Sequence, residues 1–280
     1  VTVIITGGAG FIGSYLCKEL SKDYDVVSID SYFNGTTLNH HDNVEYINLN
    51  TKNISTLDIK PDVIIHLGEY SRVEQSFKDI KLVHDYNIDG TFQVLEYAKK
   101  HKARVIYAST SSLFSSSNLS PYTLFKKQNI DLIKAYNKWY NLDYSICHFY
   151  NVYGYNNQKI NKYSDIISLY MNMYSNNEPL KVTGTGLQKR NFTHVLDTVQ
   201  GIKLVLEKGY RKHYMIGHPD AYSVLEVAKM FSNRIEFIPD REGNRKKSFI
   251  NPESIKRLGL TYKYNIEDFI EDFKNTQKSK

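Results

Sequence analysis

The sequence predicts an α/β fold, a doubly wound parallel sheet with a smaller mixed α/β lobe. Three features predict it. Short β-rich runs alternate with helical stretches from Thr2 to Phe149. A glycine-rich turn, Gly7-Gly8-Ala9-Gly10-Phe11-Ile12-Gly13, joins the first run to the first helical stretch. Beyond Asn151 the alternation gives way to separate helices, short strand-like pieces and turns. Strands alternating with helices imply a parallel sheet with ligands at its carboxyl edge.

Thr2–Thr6 is the first strand, and Ile12–Ser21 the helix after the glycines. Asp25–Ile29, Val44–Asn48 and Val63–Leu67 read as the next three strands, the last introduced by Pro61-Asp62. Leu82–Lys99 has the period of one long amphipathic helix, and Arg104–Ala108 follows as a strand. Pro121–Trp139 is a further helix and Tyr144–Phe149 a sixth strand. In the second half Ser164–Tyr174 and Val224–Phe231 read as helices. Gly184-Thr185-Gly186 and Glu242-Gly243-Asn244 mark turns, and Asn275–Lys280 a frayed tail. Residues 1–154, with roughly 191–220, are assigned to the sheet domain, and 155–190 with 221–280 to the smaller lobe.

Hydrophobic residues at 41% and charged residues at 24% suit a soluble globular protein. No apolar run has the length to cross a bilayer, so a cytoplasmic protein without membrane insertion is expected. Cys17 and Cys147 lie far apart without metal-ligand spacing, which predicts two buried free thiols and no metal site. The net charge is +6, but Lys and Arg are mostly scattered, with one cluster at Arg245-Lys246-Lys247 behind Arg241. Nucleic acid would need a basic stripe or a fold signal; an anionic small molecule accounts for the same excess.

The glycine turn carries the first chemical signal. Gly7, Gly10 and Gly13 permit a tight turn, close approach of backbone to a pyrophosphate, and close helix–strand packing. The helix behind them, opening on Phe11 and Ile12, offers free N–H groups to the anion. A glycine pattern alone is weak evidence, but here a strand precedes it, a helix follows, and the next strand ends in Asp30. That carboxylate can accept both ribose hydroxyls of an adenosine and would repel a 2′-phosphate. No Arg follows in Ser31–Gly35, so NAD is favoured over NADP. An ordinary loop aspartate is the alternative.

Tyr122 and Lys126 stand four apart at the start of a predicted helix, on one face. A tyrosine phenol ordinarily titrates near 10; a neighbouring ammonium and a positive nicotinamide favour the phenolate and suit it to act as a base. Such a pair arises easily by chance in a chain rich in both residues. Its position after a glycine-loop domain and the hydroxyl-rich strand end Ser109-Thr110-Ser111 gives it weight.

Taken together, these motifs resemble the extended short-chain dehydrogenase/reductases, in their nucleotide-sugar epimerase/dehydratase branch, with a Rossmann sheet. The resemblance spans nearly the whole chain. It includes His66-Leu67-Gly68, Asn87-Ile88-Asp89-Gly90-Thr91 and Phe149-Tyr150-Asn151-Val152-Tyr153-Gly154, then Arg190-Asn191-Phe192-Thr193-His194-Val195 and Arg241-Glu242-Gly243-Asn244. It implies that Thr110 hydrogen-bonds the sugar hydroxyl being oxidised, that Tyr122 takes its proton, and that Lys126 also holds the nicotinamide ribose. Asn50, Leu67, Gly68 and Asn87 would join the cofactor site. Asn151, Arg190 and Arg241 would hold the diphosphate, as the paired donors of Arg suit phosphate. The stretch from Thr110 to Tyr122 is shorter than most relatives have, so Ser111 or Ser115–Ser117 can supply the hydroxyl instead. Phe125 stands where the family often has Ser, and Asn50 where an Asp often meets the adenine.

Related dehydratases carry acids just after the active-site Thr, where this chain has Ser111 and Ser112, and neither cysteine falls near this spot. That leaves C4 epimerisation of a UDP-sugar through a transient 4-keto intermediate. Counting from Arg241, Ser248 falls where relatives restricted to plain hexoses carry Tyr, which leaves room for an N-acetyl group. UDP-GlcNAc/UDP-GalNAc is thus expected beside or instead of UDP-Glc/UDP-Gal. The alternatives are a nucleotide-sugar 4-reductase, a 4,6-dehydratase, and a non-catalytic dinucleotide sensor, which would lack the Tyr/Lys pair. The resemblance also implies a homodimer packed through the Tyr122 helix and its predecessor. Tyr86, Phe92, Leu95, Leu132 and Trp139 could serve that surface or the sheet.

Overall fold

The structure, a computed structural model, describes residues 1–114, 120–155, 160–161, 164–240 and 249–279. Seven strands form one parallel sheet: β1 (Thr2–Thr6), β2 (Asp25–Asp30), β3 (Val44–Asn48), β4 (Val63–His66), β5 (Arg104–Thr110), β6 (Tyr144–Phe149) and β7 (His213–Ile216). Their order in space is β7-β6-β5-β4-β1-β2-β3, every pair parallel. The chain builds outward from β1 to β3, then returns to β4 on the other side of β1. A crevice opens at that reversal, beyond the carboxyl ends of the strands. The inner strands are runs of β-branched residues, such as Val3-Ile4-Ile5 and Val63-Ile64-Ile65, buried on both faces.

Four helices flank the sheet: α1 (Phe11–Leu20), α2 (Gly90–His101), α3 (Pro121–Tyr140) and α4 (Val195–Lys208). On one face Leu16 and Leu20 of α1 and Val199, Ile202 and Val205 of α4 pack on Val3, Ile5 and Val26. On the other, Val94, Leu95, Ile130 and Ile133 from α2 and α3 pack on Ile4, Ile64 and Val105. Both cysteines are buried free thiols, pushed up to about 12 chiefly by burial. Among the described residues no helix is long and apolar enough to cross a membrane.

A separate core lies under the second half, where Tyr153, Tyr170, Phe192, Phe231 and Phe273 meet. Around it stand helices Ile166–Ser175, Val224–Phe231 and Ile266–Lys278. Three short ladders complete it, Val152–Tyr153 with Thr193–His194, Leu180–Thr183 with Ile235–Ile238, and Lys189–Asn191 with Ala221–Ser223.

Some elements differ from the sequence reading. The helix expected over Leu82–Lys99 is an α-helical turn (Ile80–His84), a π-helical segment (Asp85–Asp89) and then α2. The frayed tail expected at Asn275–Lys280 is helical to Lys278. Ile266, Phe269, Ile270 and Phe273 hold that helix on the second core, and Asn265 caps it by accepting from Asp268 N at 2.8 Å. The reading also leaves α4 undivided from its neighbours. Its buried Val195, Val199, Ile202, Val205 and Leu206 lie along one face, with Gln200, Lys203 and Glu207 on the other.

Arg104 at the start of β5 closes α4. Its Nη1 donates to Leu206 O at 2.9 Å, and its Nη2 to Val205 O and Gly209 O at 2.8 Å and Ser145 Oγ at 2.9 Å. A guanidinium at the carbonyl end of a helix satisfies acceptors that have no intrahelical partner. Replacing Arg104 with Ala is expected to lower the unfolding free energy by about 2–4 kcal/mol, measured by urea titration. Lys should recover less than half of that loss, because one ammonium cannot span three carbonyls.

Burial pulls the imidazoles of His66, His148 and His194 down to about 4, about 3 and about 4. The unfolded chain takes up those protons near 6.5. Their contribution to stability is therefore complete above pH 6.5 and lost as pH falls toward the folded values. Denaturant midpoints should fall between pH 6.5 and 4; a flat profile over that window contradicts the assignment.

Candidate active site

The crevice at the switch point is a cleft of about 410 Å³, bounded by the ends of β1, β2, β4, β5 and β6. Gly7, Gly10, Phe11, Ile12 and Gly13 line it. Gly7 has φ +74°, a conformation that favours glycine, and a Cβ there would sit 2.9 Å from Gly68 Cα. A Cβ on Gly13 would sit 2.1 Å from Gly7 O. No side chain caps the start of α1 and its first turn holds no acid, so its N–H groups are available to an anion. Asp30, buried at the end of β2, accepts from Ala9 N at 3.0 Å and Tyr32 N at 2.8 Å. Burial pushes its carboxyl up, and the two N–H groups pull against that. Each oxygen retains a lone pair for a ribose hydroxyl, and Ser31–Gly35 brings no cation. The turn, the helix start and the acid fit NAD.

Across the cleft, Ser120 caps α3 by accepting from Thr123 N at 3.1 Å, and Pro121 opens the helix. This sets Tyr122 in the first turn and Lys126 one turn on, both buried and both lining the cleft. Lys126 Nζ lies 6.0 Å from the centre of the Tyr122 ring. The end of β5 presents Ser109 and Thr110, and the turn Ser111–Phe114 adds Ser111 and Ser112. Thr110 Oγ1 donates to Ser112 Oγ at 3.2 Å and accepts from Ser112 N at 3.1 Å. Leu67, Gly68 and Asn151 also line the cleft, Asn151 with Nδ2 donating to Asn191 O at 2.9 Å.

Three expected site residues stand elsewhere. Asn50 caps a 3₁₀ turn through its Oδ1, which accepts from Lys52 N at 3.1 Å, while Leu49 and Thr51 on either side of it line the cleft. Asn87 is fully buried in the π-helical segment. Its amide brackets the backbone of Tyr70, accepting from N at 2.7 Å and donating to O at 3.0 Å. Arg190 lies on an edge strand away from the cleft lining and donates to Lys189 O. Ser115–Ser117, Arg241 and Ser248 fall outside the described residues. Phe125 packs with Tyr70, Val83 and Tyr122, where a serine would leave that cluster open.

The sequence reading missed Glu69, Arg72 and Asp165, which all line the cleft. Glu69 forms an ion pair with Lys126, which also donates to Ala108 O. Burial lowers the Arg72 guanidinium, while Asp165, Tyr122 and Tyr70 act on it in the opposite direction. A carboxylate three residues past a fully buried strand was the one available signal for Glu69; a strand end that deep rarely carries a charge without a partner.

Residues 3–217 match the NAD dependent epimerase/dehydratase family. A putative UDP-glucose 4-epimerase of Methanocaldococcus jannaschii is 26% identical over 304 residues, covering 99% of this chain and 98% of its own. UDP-glucuronic acid decarboxylase 4 of Arabidopsis thaliana is 27% identical over 268 residues, covering 86% of this chain, which spans only 60% of that longer protein. Among solved structures, UDP-glucuronic acid 4-epimerase from Bacillus cereus, in complex with UDP-glucuronic acid and NAD, superposes with a TM-score of 0.88 at 25% identity, covering 100% of this chain and 99% of its own.

Gly13→Ala is expected to yield a folded protein that retains no NAD through purification. The cofactor released on denaturation measures it, and retention at the wild-type level would mean that the turn tolerates the added Cβ.

Proposed function

The chain belongs to the NAD-dependent epimerase/dehydratase family, and we propose that it interconverts C4 epimers of a UDP-sugar. NAD, when bound, supplies the hydride acceptor for C4 and returns the hydride. Tyr122 takes the proton of the C4 hydroxyl and gives it back, Thr110 or Ser111 holds that hydroxyl, and Lys126 orients the ribose beside them. Asn151 steadies the diphosphate while the 4-keto sugar turns over in the cleft.

The observation that carries this reading is the state of the carboxylates around the cleft. Removing a C5 proton, as a dehydratase must, needs a free base beside the sugar. Among the described lining residues the acids are Asp30, Glu69 and Asp165. Asp30 accepts from Ala9 and Tyr32 at the far end, and Glu69 is held by Lys126. Asp165 caps helix Ile166–Ser175, accepting from Ile167 N and Ser168 N at 3.0 Å. The cleft that holds Tyr122 also carries the hydroxyls of Thr110, Ser111 and Ser112. Oxidation and return at C4 need no more than these.

UDP-GlcNAc/UDP-GalNAc and UDP-Glc/UDP-Gal remain the first substrates to try. UDP-glucuronic acid is a second reading, favoured by Arg72, whose guanidinium in the cleft suits a sugar carboxylate, and by the ligand of the Bacillus cereus relative. The proposed homodimer would pack α2 and α3. Phe92 and Trp139 are exposed on these helices, whereas Leu95 turns into the sheet core.

Purified protein incubated with each UDP-sugar, without added cofactor, should yield the C4 epimer by NMR. No conversion of any of them, even with NAD supplied, refutes the reading. Tyr122→Phe should lower kcat by about 10³-fold while bound NAD is retained.

A further inference from the structure

Glu69 is a charge buried next to the cofactor cleft, and its surroundings are built for an anion. Oε1 accepts from Thr91 Oγ1 at 3.0 Å, Tyr107 Oη at 3.0 Å and Asn129 Nδ2 at 2.9 Å, and Oε2 accepts from Lys126. The side chain is 1% exposed. Each partner is fixed as a donor. Burial, then the charge of Glu69, holds the Tyr107 phenol well above its usual value, so it keeps its proton. Thr6 Oγ1 accepts from Leu67 N at 3.1 Å and Gly68 N at 2.9 Å, so its own proton goes to His66 Nδ1 at 2.7 Å. His66 is neutral, drawn down to about 4 by burial, and must therefore carry its proton on Nε2 and donate to Thr91 Oγ1 at 2.9 Å. Thr91 in turn donates to Glu69. The chain of donors starts beneath the glycine turn and ends on the carboxylate.

We propose that Glu69 is a positioning residue which, by pairing with Lys126, cancels the ammonium charge beside the nicotinamide site and biases that site toward the oxidised cofactor. Oxidised and reduced nicotinamide differ by one positive charge. A lone ammonium would disfavour the oxidised form; a neutral Lys126–Glu69 pair does not. The buried pair also fixes the ammonium, with Glu69 and Ala108 O taking two of its three protons and one left for the cleft. An enzyme that must regenerate its oxidised cofactor at every turnover gains from that bias, so the inference deepens the proposed function and rests on it for its purpose. Its test needs no sugar.

The test is the ratio of the dissociation constants for NAD⁺ and NADH, measured by calorimetry on cofactor-stripped protein. Glu69→Gln, which keeps the size but not the charge, should shift the ratio toward NADH by about ten-fold, as one unit charge within about 10 Å does at an effective dielectric near 20. Lys126→Met leaves the anion unopposed and should shift it the other way. Lost ribose contacts weaken both forms alike and cancel in the ratio. The double variant should return to within about three-fold of wild type. A ratio unchanged in Glu69→Gln, or shifted as far in the double variant, overturns the proposal. If Glu69→Gln does not fold, the double variant is compared with Lys126→Met, where the charge of Glu69 alone differs, and equal ratios in those two overturn the proposal. Absence of turnover with every sugar would refute the epimerase reading while leaving this ratio measurable.

Discussion

Everything at the carboxyl edge of the sheet depends on how closely two backbone turns approach. The glycine turn after β1 and the turn after β4 touch at Gly7 and Gly68, where added Cβ atoms would sit about 3 Å from opposing backbone. Thr6 Oγ1 ties them together by accepting from Leu67 N and Gly68 N. Because β1 and β4 are neighbours at the point where strand order reverses, this contact sets both the floor of the cleft and the start of α1. A side chain at either glycine would push the turns apart and take the N–H groups of α1 out of register with any pyrophosphate.

From that contact the site is built outward in opposite electrostatic senses. Toward β2 the cleft ends in Asp30, a carboxylate held by two backbone N–H groups and open to a ribose. Toward β5 and α3 it is lined by Tyr122 and Lys126 and by the hydroxyls of Thr110, Ser111 and Ser112. Between these ends lies Glu69, whose anionic charge is met by one ammonium and three neutral donors. A buried ion pair gains little for stability once desolvation is counted. This one lines the cleft that also holds Tyr122.

Much of this was legible in the sequence because it is local. Strand boundaries followed from β-branched runs, and the glycine spacing, Asp30 and the four-residue step from Tyr122 to Lys126 are each contained within one turn or one strand end. Glu69 was not legible, since its meaning lies in partners from α2, β5 and α3, drawn from Thr91, Tyr107, Lys126 and Asn129. Asn87 shows the reverse error. The reading gave it to the cofactor site, but the π-helical segment holds its side chain on the backbone of Tyr70. α4 and the C-terminal helix escaped notice although each carries an apolar stripe at helical spacing, Val195, Val199, Ile202 and Val205 in one and Ile266, Phe269, Ile270 and Phe273 in the other.

By itself, then, the sequence determined the alternation that makes a parallel sheet, the turn that suits a dinucleotide, the acid at the end of β2, and the Tyr122/Lys126 pair on one helix face. Periodicity, backbone freedom and charge act over a few residues and need no folded context. Only the tertiary structure decided which polar groups share a burial site: that Lys126 has a carboxylate for a partner, that Asp165 spends its oxygens on a helix start, and that Arg72 faces the same cleft as Tyr122. Those relations join segments far apart in the chain, and a charge acquires its chemistry from what is desolvated beside it.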